Sequence, residues 1–185
     1  MHDQFPKVYC FIEAYEKNYI KSLDKNIAII YRNYNKKINI NEIKKINNLC
    51  KKNGNKFFLS NNIEIALKLN LEGVYIPSFN KSLNIRFYSK NKKLKILGSA
   101  HNISEIRQKE LQGVDCIFLS PIFLTKKKKQ FLGIYKFNKL SKLTKKKIIC
   151  LGGINQDNLK KIKLINAHGL ASISLFKDNI KYIKY

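Results

Sequence analysis

The sequence predicts an α/β fold, a compact (β/α)8 TIM barrel with some shortened helices. Three observations carry this reading. Eight short apolar runs punctuate the chain, most of them β-branched and without polar alternation, as strands buried on both faces of a parallel sheet read. Polar or helical-period segments separate the runs, so each strand and its connection make a parallel βα unit, and eight such units imply closure into a barrel. At 185 residues the chain is shorter than this fold usually is, so several helices must be short or missing. An open, doubly wound sheet is the alternative arrangement of the same elements. No linker or charge-separated boundary divides the sequence, and residues 1–185 read as one domain, long enough for a full core.

The elements follow in order. Residues 7–12 (K-V-Y-C-F-I) are the first strand, and the short polar and aromatic connection after them has room for at most a brief helix. Residues 27–31 (I-A-I-I-Y) are the second, ending at Arg32. Residues 41–52 place Ile43, Ile46 and Leu49 at helical spacing, with Gly54 as the stop. Residues 56–59 are the third strand, and Ser60 and Asn61 lead into a helix with Ile63, Ala66, Leu67 and Leu69 on one side. Residues 73–76 are the fourth, broken by Pro77. Residues 94–99 are the fifth, followed by a helix over 104–111 and a turn at Gly113; residues 116–119 are the sixth. The stretch 125–144 is low in apolar periodicity and reads as a long loop before a stunted helix. Residues 147–155 (K-I-I-C-L-G-G-I-N) hold the seventh strand and stop at paired glycines. Asn155 or Asp157 can cap a helix over 158–166. Residues 169–174 are the eighth strand, and 179–185 a closing helix.

Composition narrows the function classes. The net charge of +25 would ordinarily suggest nucleic acid. Here the excess is lysine spread over the whole length beside abundant Asn and Ile, the bias of an AT-rich genome. Arginine, which specific phosphate and base contacts favour, occurs only as Arg32, Arg86 and Arg107. Nucleic acid is therefore not the expected partner. No apolar run approaches the ~18 residues of a membrane span, and the N-terminus carries no basic-then-apolar signal. Cys10, Cys50, Cys116 and Cys150 are widely spaced without a C-x-x-C pair, as buried small hydrophobes are in a reducing compartment. A cytoplasmic domain is the expectation.

In such a barrel the chemistry sits at the C-terminal ends of the strands. Those ends carry Arg32, Ser60, Asn61, Tyr75, Ser78, Ser99, His101, Ser120, Thr125, Gly152, Gly153, Ser172 and Ser174, a rim rich in hydroxyls, amides and exposed backbone with almost no carboxylate. It suits phosphate oxygens and suits metal chelation poorly, because Mg2+ normally takes at least one carboxylate. Gly152 and Gly153 let the backbone bare its N–H groups at a strand end, although glycines are also common in ordinary βα turns. The loops after strands seven and eight are where barrels commonly bind phosphate. His101 is either a proton shuttle or a polar loop residue; His168 falls at the opposite, structural end. The run Lys126–Lys129 is either a solvated charge run or a lid that supplies ammonium groups to a pyrophosphate.

The chain also resembles the thiamine phosphate synthase and thiazole tautomerase superfamily. The resemblance is carried by I-Y-R-N-Y at 30–34, S-N-N-I-E-I-A-L-K-L-N-L-E-G-V-Y-I at 60–76, S-A-H at 99–101, G-V-D-C-I-F-L-S-P-I-F-L-T at 113–125, L-G-G-I-N at 151–155 and G-L-A-S-I-S at 169–174. It implies a (β/α)8 barrel and a synthase that joins a pyrimidine-methyl pyrophosphate to a thiazole phosphate, so the implied partners are small phosphorylated substrates. Charge stabilisation and positioning do most of the work in such a reaction. By resemblance Arg32 grips the pyrophosphate, Ser99 faces the reacting centre, and Thr125 and Lys128 lie in the closing loop. Gly152, Gly153, Ile173 and Ser174 hold the thiazole phosphate. The implied cofactor is Mg2+, yet the family's metal-binding aspartates fall at Asn61 and Asn80, so no secure metal ligand is assigned; Lys127 or Lys128 could replace part of the charge. The glutamine and lysine that flank the family's arginine read Ile30 and Tyr34 here. The tautomerase branch would place a histidine where this chain has Pro121. The alternative is a non-catalytic or altered-function relative that binds a small phosphate ester such as thiazole phosphate.

Overall fold

The computed structural model describes residues 5–34, 37–91, 93–125 and 130–177. The strands β1 (Val8–Ile12), β2 (Ile27–Tyr31), β3 (Phe57–Ser60), β4 (Gly73–Ile76), β5 (Lys95–Ala100), β6 (Cys116–Leu119), β7 (Lys147–Leu151) and β8 (Gly169–Ser172) alternate with the helices α1 (Lys17–Ser22), α2 (Ile40–Asn53), α3 (Ile63–Lys68), α4 (Ile85–Tyr88), α5 (Ile103–Leu111) and α6 (Gly133–Ser141); a 3-10 segment, Leu159–Leu164, takes the last connection. Every neighbouring pair is parallel, and β8 returns to β1 with Val8 opposite Leu170 and Cys10 opposite Ser172, which closes the barrel. Closure excludes the open, doubly wound sheet.

The strands divide their side chains between two apolar layers, as a period of two requires. Tyr9, Phe11, Ala28, Ile30, Phe58, Tyr75, Leu97, Cys116, Phe118, Ile149, Leu151 and Ala171 point inward and fill the barrel. Their neighbours in sequence pack outward against the helices. Aromatic rings dominate the interior. Tyr9 meets Phe118 edge-on at 4.9 Å, and Tyr75 meets Phe11 at 5.2 Å and Phe118 at 5.3 Å, so the four rings interlock inside the barrel. The family position for glutamine is thus filled by Ile30, a core residue with no exposure.

Asparagine starts several helices. Asn39 accepts from the Glu42 N–H at α2, Asn62 from Ile65 N–H at α3, and Asn102 from Glu105 N–H at α5, each satisfying a donor the helix itself leaves open. The expected start at Ser60 and Asn61 thus moves to Asn62. The stretch 125–144 is corrected more substantially. Residues 133–141 form a helix as long as α5, because Phe137, Leu140 and Ser141 bury one side of it. The helix expected over 158–166 is a 3-10 segment that buries only Ile162. The eighth strand ends at Ser172 rather than residue 174, which frees Ile173 and Ser174 for a bend. The closing helix over 179–185 lies outside the described residues. All four cysteines are buried and unpaired, and burial pushes the Cys10 thiol up to about 11 and those of Cys50 and Cys150 to about 12.

Candidate active site at the carboxyl ends of the strands

The mouth of the barrel opens into a cavity of about 580 Å3 lined by Arg32, His101, Ser120, Pro121, Leu124, Thr125, Leu151, Gly152, Gly153, Ile154, Asn155, Ser172, Ile173 and Ser174. Its floor is the loop after β7. The chain leaves the strand through two left-handed glycines, Gly152 at φ +96° and Gly153 at φ +73°. The loop after β6 lies directly against them: Ile122 N–H donates to Leu151 O at 2.9 Å and Phe123 N–H to Gly152 O at 3.1 Å. A Cβ on Gly153 would stand 2.6 Å from Phe123 O and nearer still to Leu124 O, so this position excludes any side chain. Asn158 then pins the turn, donating from Nδ2 to Gly153 O at 2.7 Å and exchanging bonds with Asn155 at 3.0 and 3.1 Å. Of the two cap candidates it is Asn155, not Asp157, that accepts from Asn158 N–H. Beside this turn, Ser172 Oγ accepts from Leu175 N–H at 3.1 Å and turns the chain after β8. Among the described residues, the N–H groups of Gly153, Ile154 and Ser174 meet no hydrogen-bond acceptor. Three unsatisfied backbone donors on one cavity wall offer what a phosphate group needs.

Arg32 stands across the mouth. Its N–H donates to Ile12 O at 2.8 Å, continuing the β1–β2 ladder, and its guanidinium lies 5.0 Å over the Phe11 ring. Nη2 reaches Glu13 Oε1 at 3.2 Å, a pair whose carboxylate is mostly in solvent and therefore holds the arginine only loosely. Ser99, near the end of β5, is 5 % exposed and is not part of the cavity lining; its side chain acts on the Tyr75 phenol. Desolvation raises the pKa of that phenol and keeps it neutral. Thr125 lines the cavity, whereas Lys128, Lys127 and the rest of the run Lys126–Lys129 lie outside the described residues. His101 also lines it, with Nδ1 held by Glu105 Oε2 at 2.8 Å, while His168 lies at the opposite end with Nε2 3.4 Å from Phe5 O.

The β2–β4 side of the mouth is different in kind. Tyr34 donates or accepts at Ser60 Oγ (2.8 Å) and meets the Phe79 ring edge-on at 5.3 Å. Next to them Asn80 Nδ2 donates to Asn61 Oδ1 at 2.7 Å, and Asn80 Oδ1 accepts from Ser82 N–H at 3.0 Å. These are the positions at which the family resemblance placed metal ligands. The pair carries no charge, both amide oxygens already have donors, and among the described residues no group of three His, Cys, Asp or Glu side chains comes together. This donor set does not fit Mg2+.

Behind that loop is a residue that sequence reasoning missed. Lys109 on α5 is fully buried, and its Nζ donates to Pro77 O, Asn80 O and Gln112 Oε1, each at 2.8 Å. Desolvation lowers its pKa to about 8, with Glu105 opposing the shift. The only trace in the sequence is a lysine three residues after Ile106, on the apolar side of a helix.

A family profile described as thiamine monophosphate synthase matches residues 19–176. A thiamine-phosphate synthase of Prochlorococcus marinus is 34 % identical over 139 residues, covering 73 % of this chain and 40 % of that one. One from Pelagibacter ubique is 29 % identical over 165 residues, covering 85 % and 79 %. The chain thus spans about two fifths of the length of the Prochlorococcus relatives. A thiamine phosphate pyrophosphorylase structure from Pyrococcus furiosus superposes with a TM-score of 0.74 at 20 % identity, over 91 % of this chain and 86 % of that one, and so shares the fold.

Proposed function

The chain belongs to the thiamine monophosphate synthase family, and on that footing we propose that it is a transferase joining a pyrimidine-methyl pyrophosphate to thiazole phosphate. The observation that carries the reading is that Gly153, Ile154 and Ser174, whose N–H groups have no acceptor among the described residues, line the same cavity as Arg32. The N–H groups suit a phosphate ester and the arginine a departing pyrophosphate. In the reaction the bond from methylene carbon to pyrophosphate oxygen breaks with its electrons passing to the pyrophosphate. The lone pair of the thiazole nitrogen then forms the new carbon–nitrogen bond. Arg32, leaving its exposed pairing with Glu13, neutralises part of the charge that develops on the leaving group. Gly152, Gly153, Ile173 and Ser174 anchor the thiazole phosphate, so that the ring nitrogen is held in line. Ser99 contributes through the Tyr75 hydroxyl beneath the site, Thr125 from the cavity wall and Lys128 from the loop after β6. No step is routed through a metal.

A second reading, a relative that binds a small phosphate ester without turnover, is favoured by the neutral Asn61–Asn80 pair and by Ile30 in the core. A discontinuous assay separates the two. Purified protein receives both substrates, with Mg2+ and with chelator. Thiamine phosphate that forms with the wild type and disappears with Arg32→Ala supports the transferase. No product together with saturable thiazole phosphate binding supports the second reading. No helix of the described residues is long and apolar enough to cross a membrane; a cytoplasmic location accords with these substrates.

A further inference from the structure

We propose that a direct amide–amide hydrogen bond takes the place of a divalent cation at the β3–β4 side of the mouth, with Asn61 and Asn80 closed on each other and the Asn80 loop fixed from behind by Lys109. The orientation of the amides follows from their partners. Ser82 N–H can only donate, so the Asn80 atom 3.0 Å from it is the oxygen. The nitrogen of the same group then faces Asn61, and the Asn61 atom that receives it at 2.7 Å is an oxygen. Two carboxylates at that distance would repel and call for a cation between them. Two amides need none. Asn61 holds φ +58°, a left-handed conformation that asparagine tolerates better than most residues, which presents its side chain to the β4 loop.

The loop itself is held by α5. Lys109 Nζ spends its three donors on Pro77 O, Asn80 O and Gln112 Oε1, and Gln112 Nε2 donates to Asn80 O and Ser82 O, both at 2.9 Å. Gly98 on β5 leaves the room this requires, since a Cβ there would stand 2.9 Å from Lys109 Cδ. Lys109 Nζ is 2.8 Å from Asn80 O, and its charge would also repel a cation held by the Asn80 side chain. The positive charge is therefore part of the chain. Lys109 does not touch the cavity lining; it is a positioning residue that acts through Asn80. The purpose of the arrangement rests on the transferase reading, but its existence does not.

The test uses Mn2+ alone, with free ion followed by electron paramagnetic resonance. The wild type is expected to leave Mn2+ free at concentrations where the Asn61→Asp/Asn80→Asp variant takes up one ion per chain. Asn80→Asp alone serves if the double variant does not fold. One Mn2+ per wild-type chain, lost in Asn61→Ala, overturns the proposal. So does a folded aspartate variant that takes up none, because the two positions would then not form a cation site at all. For the latch, amide hydrogen exchange at Ser82 should quicken in Lys109→Met, or in Gln112→Ala if the former unfolds, and be restored towards wild type by Lys109→Arg; unchanged exchange removes the positioning role. Failure of the synthase assay with these results intact would sink the transferase and leave the amide pair standing.

Discussion

At Gly153 the reason for glycine is geometric: φ is +73° and the carbonyls of Phe123 and Leu124 occupy the space of a Cβ. Gly153→Val must therefore push the loop after β6 outward, which breaks the wall of donors. The expected result is loss of thiazole phosphate binding, with an affinity weakened at least about tenfold by calorimetry; wild-type affinity would remove the proposed cradle. Arg32→Ala should act on the other half, weakening pyrophosphate far more than thiazole phosphate, because Arg32 faces the cavity while its Glu13 partner contributes little. Lys109 yields a prediction in pH. Its folded pKa of about 8 lies below the ordinary 10.5, so between those values the unfolded chain binds more protons at this site than the folded one. Stability from this group is therefore fully present above pH 10.5 and lost as pH falls through about 8. In urea midpoints the gap between wild type and Lys109→Met should widen from pH 7.5 towards pH 10. A constant gap would mean that the ammonium is not desolvated. At neutral pH the variant should still be less stable by about 1–3 kcal/mol, since Pro77 O loses its donor.

The elements differ in how far the sequence announces them. Strands were legible because each holds a short apolar run, and α2 because Ile43, Ile46 and Leu49 share a face and Gly54 ends it. The glycine turn was legible too, since Gly152 and Gly153 break such a run abruptly. By contrast α6 was hidden among lysines, and its burial comes from Phe137 and Leu140, spaced by three, which is too sparse a pattern to outweigh its surroundings. The 3-10 connection offers a single buried residue, Ile162, and could not be told from a short helix. The Asn61–Asn80 bond joins loops nineteen positions apart, and Lys109 reaches across to the loop after β4; neither contact has any local signature. Asn158 shows how an element end serves the site. Its amide ties the Gly153 carbonyl, so Asn158→Ala should cost about 1 kcal/mol in stability. It should also weaken thiazole phosphate binding while leaving pyrophosphate binding unchanged; equal weakening of both would mean that the two halves of the mouth do not act separately.

On the scale of the whole molecule, two features compete to explain an attraction for phosphate. One is the net charge of +25, which favours any polyanion. The other is a cavity whose donors include backbone N–H groups, hydroxyls and one arginine. They respond differently to salt. A non-specific polyanion complex releases counterions, so its affinity falls steeply, with a slope set by the number of phosphates neutralised. A phosphate ester held by unsatisfied N–H groups replaces few counterions and should lose only modest affinity over the same range. Thiazole phosphate and a short DNA duplex can be titrated in parallel between low and physiological ionic strength. The expected outcome is a shallow dependence for the ester, a steep one for the duplex, and no displacement of the ester by the duplex. In Gly153→Val the duplex should bind as to the wild type while the ester does not bind. A duplex that competes for the mouth, and stops competing in Gly153→Val, would instead assign the cavity to a nucleic-acid phosphate.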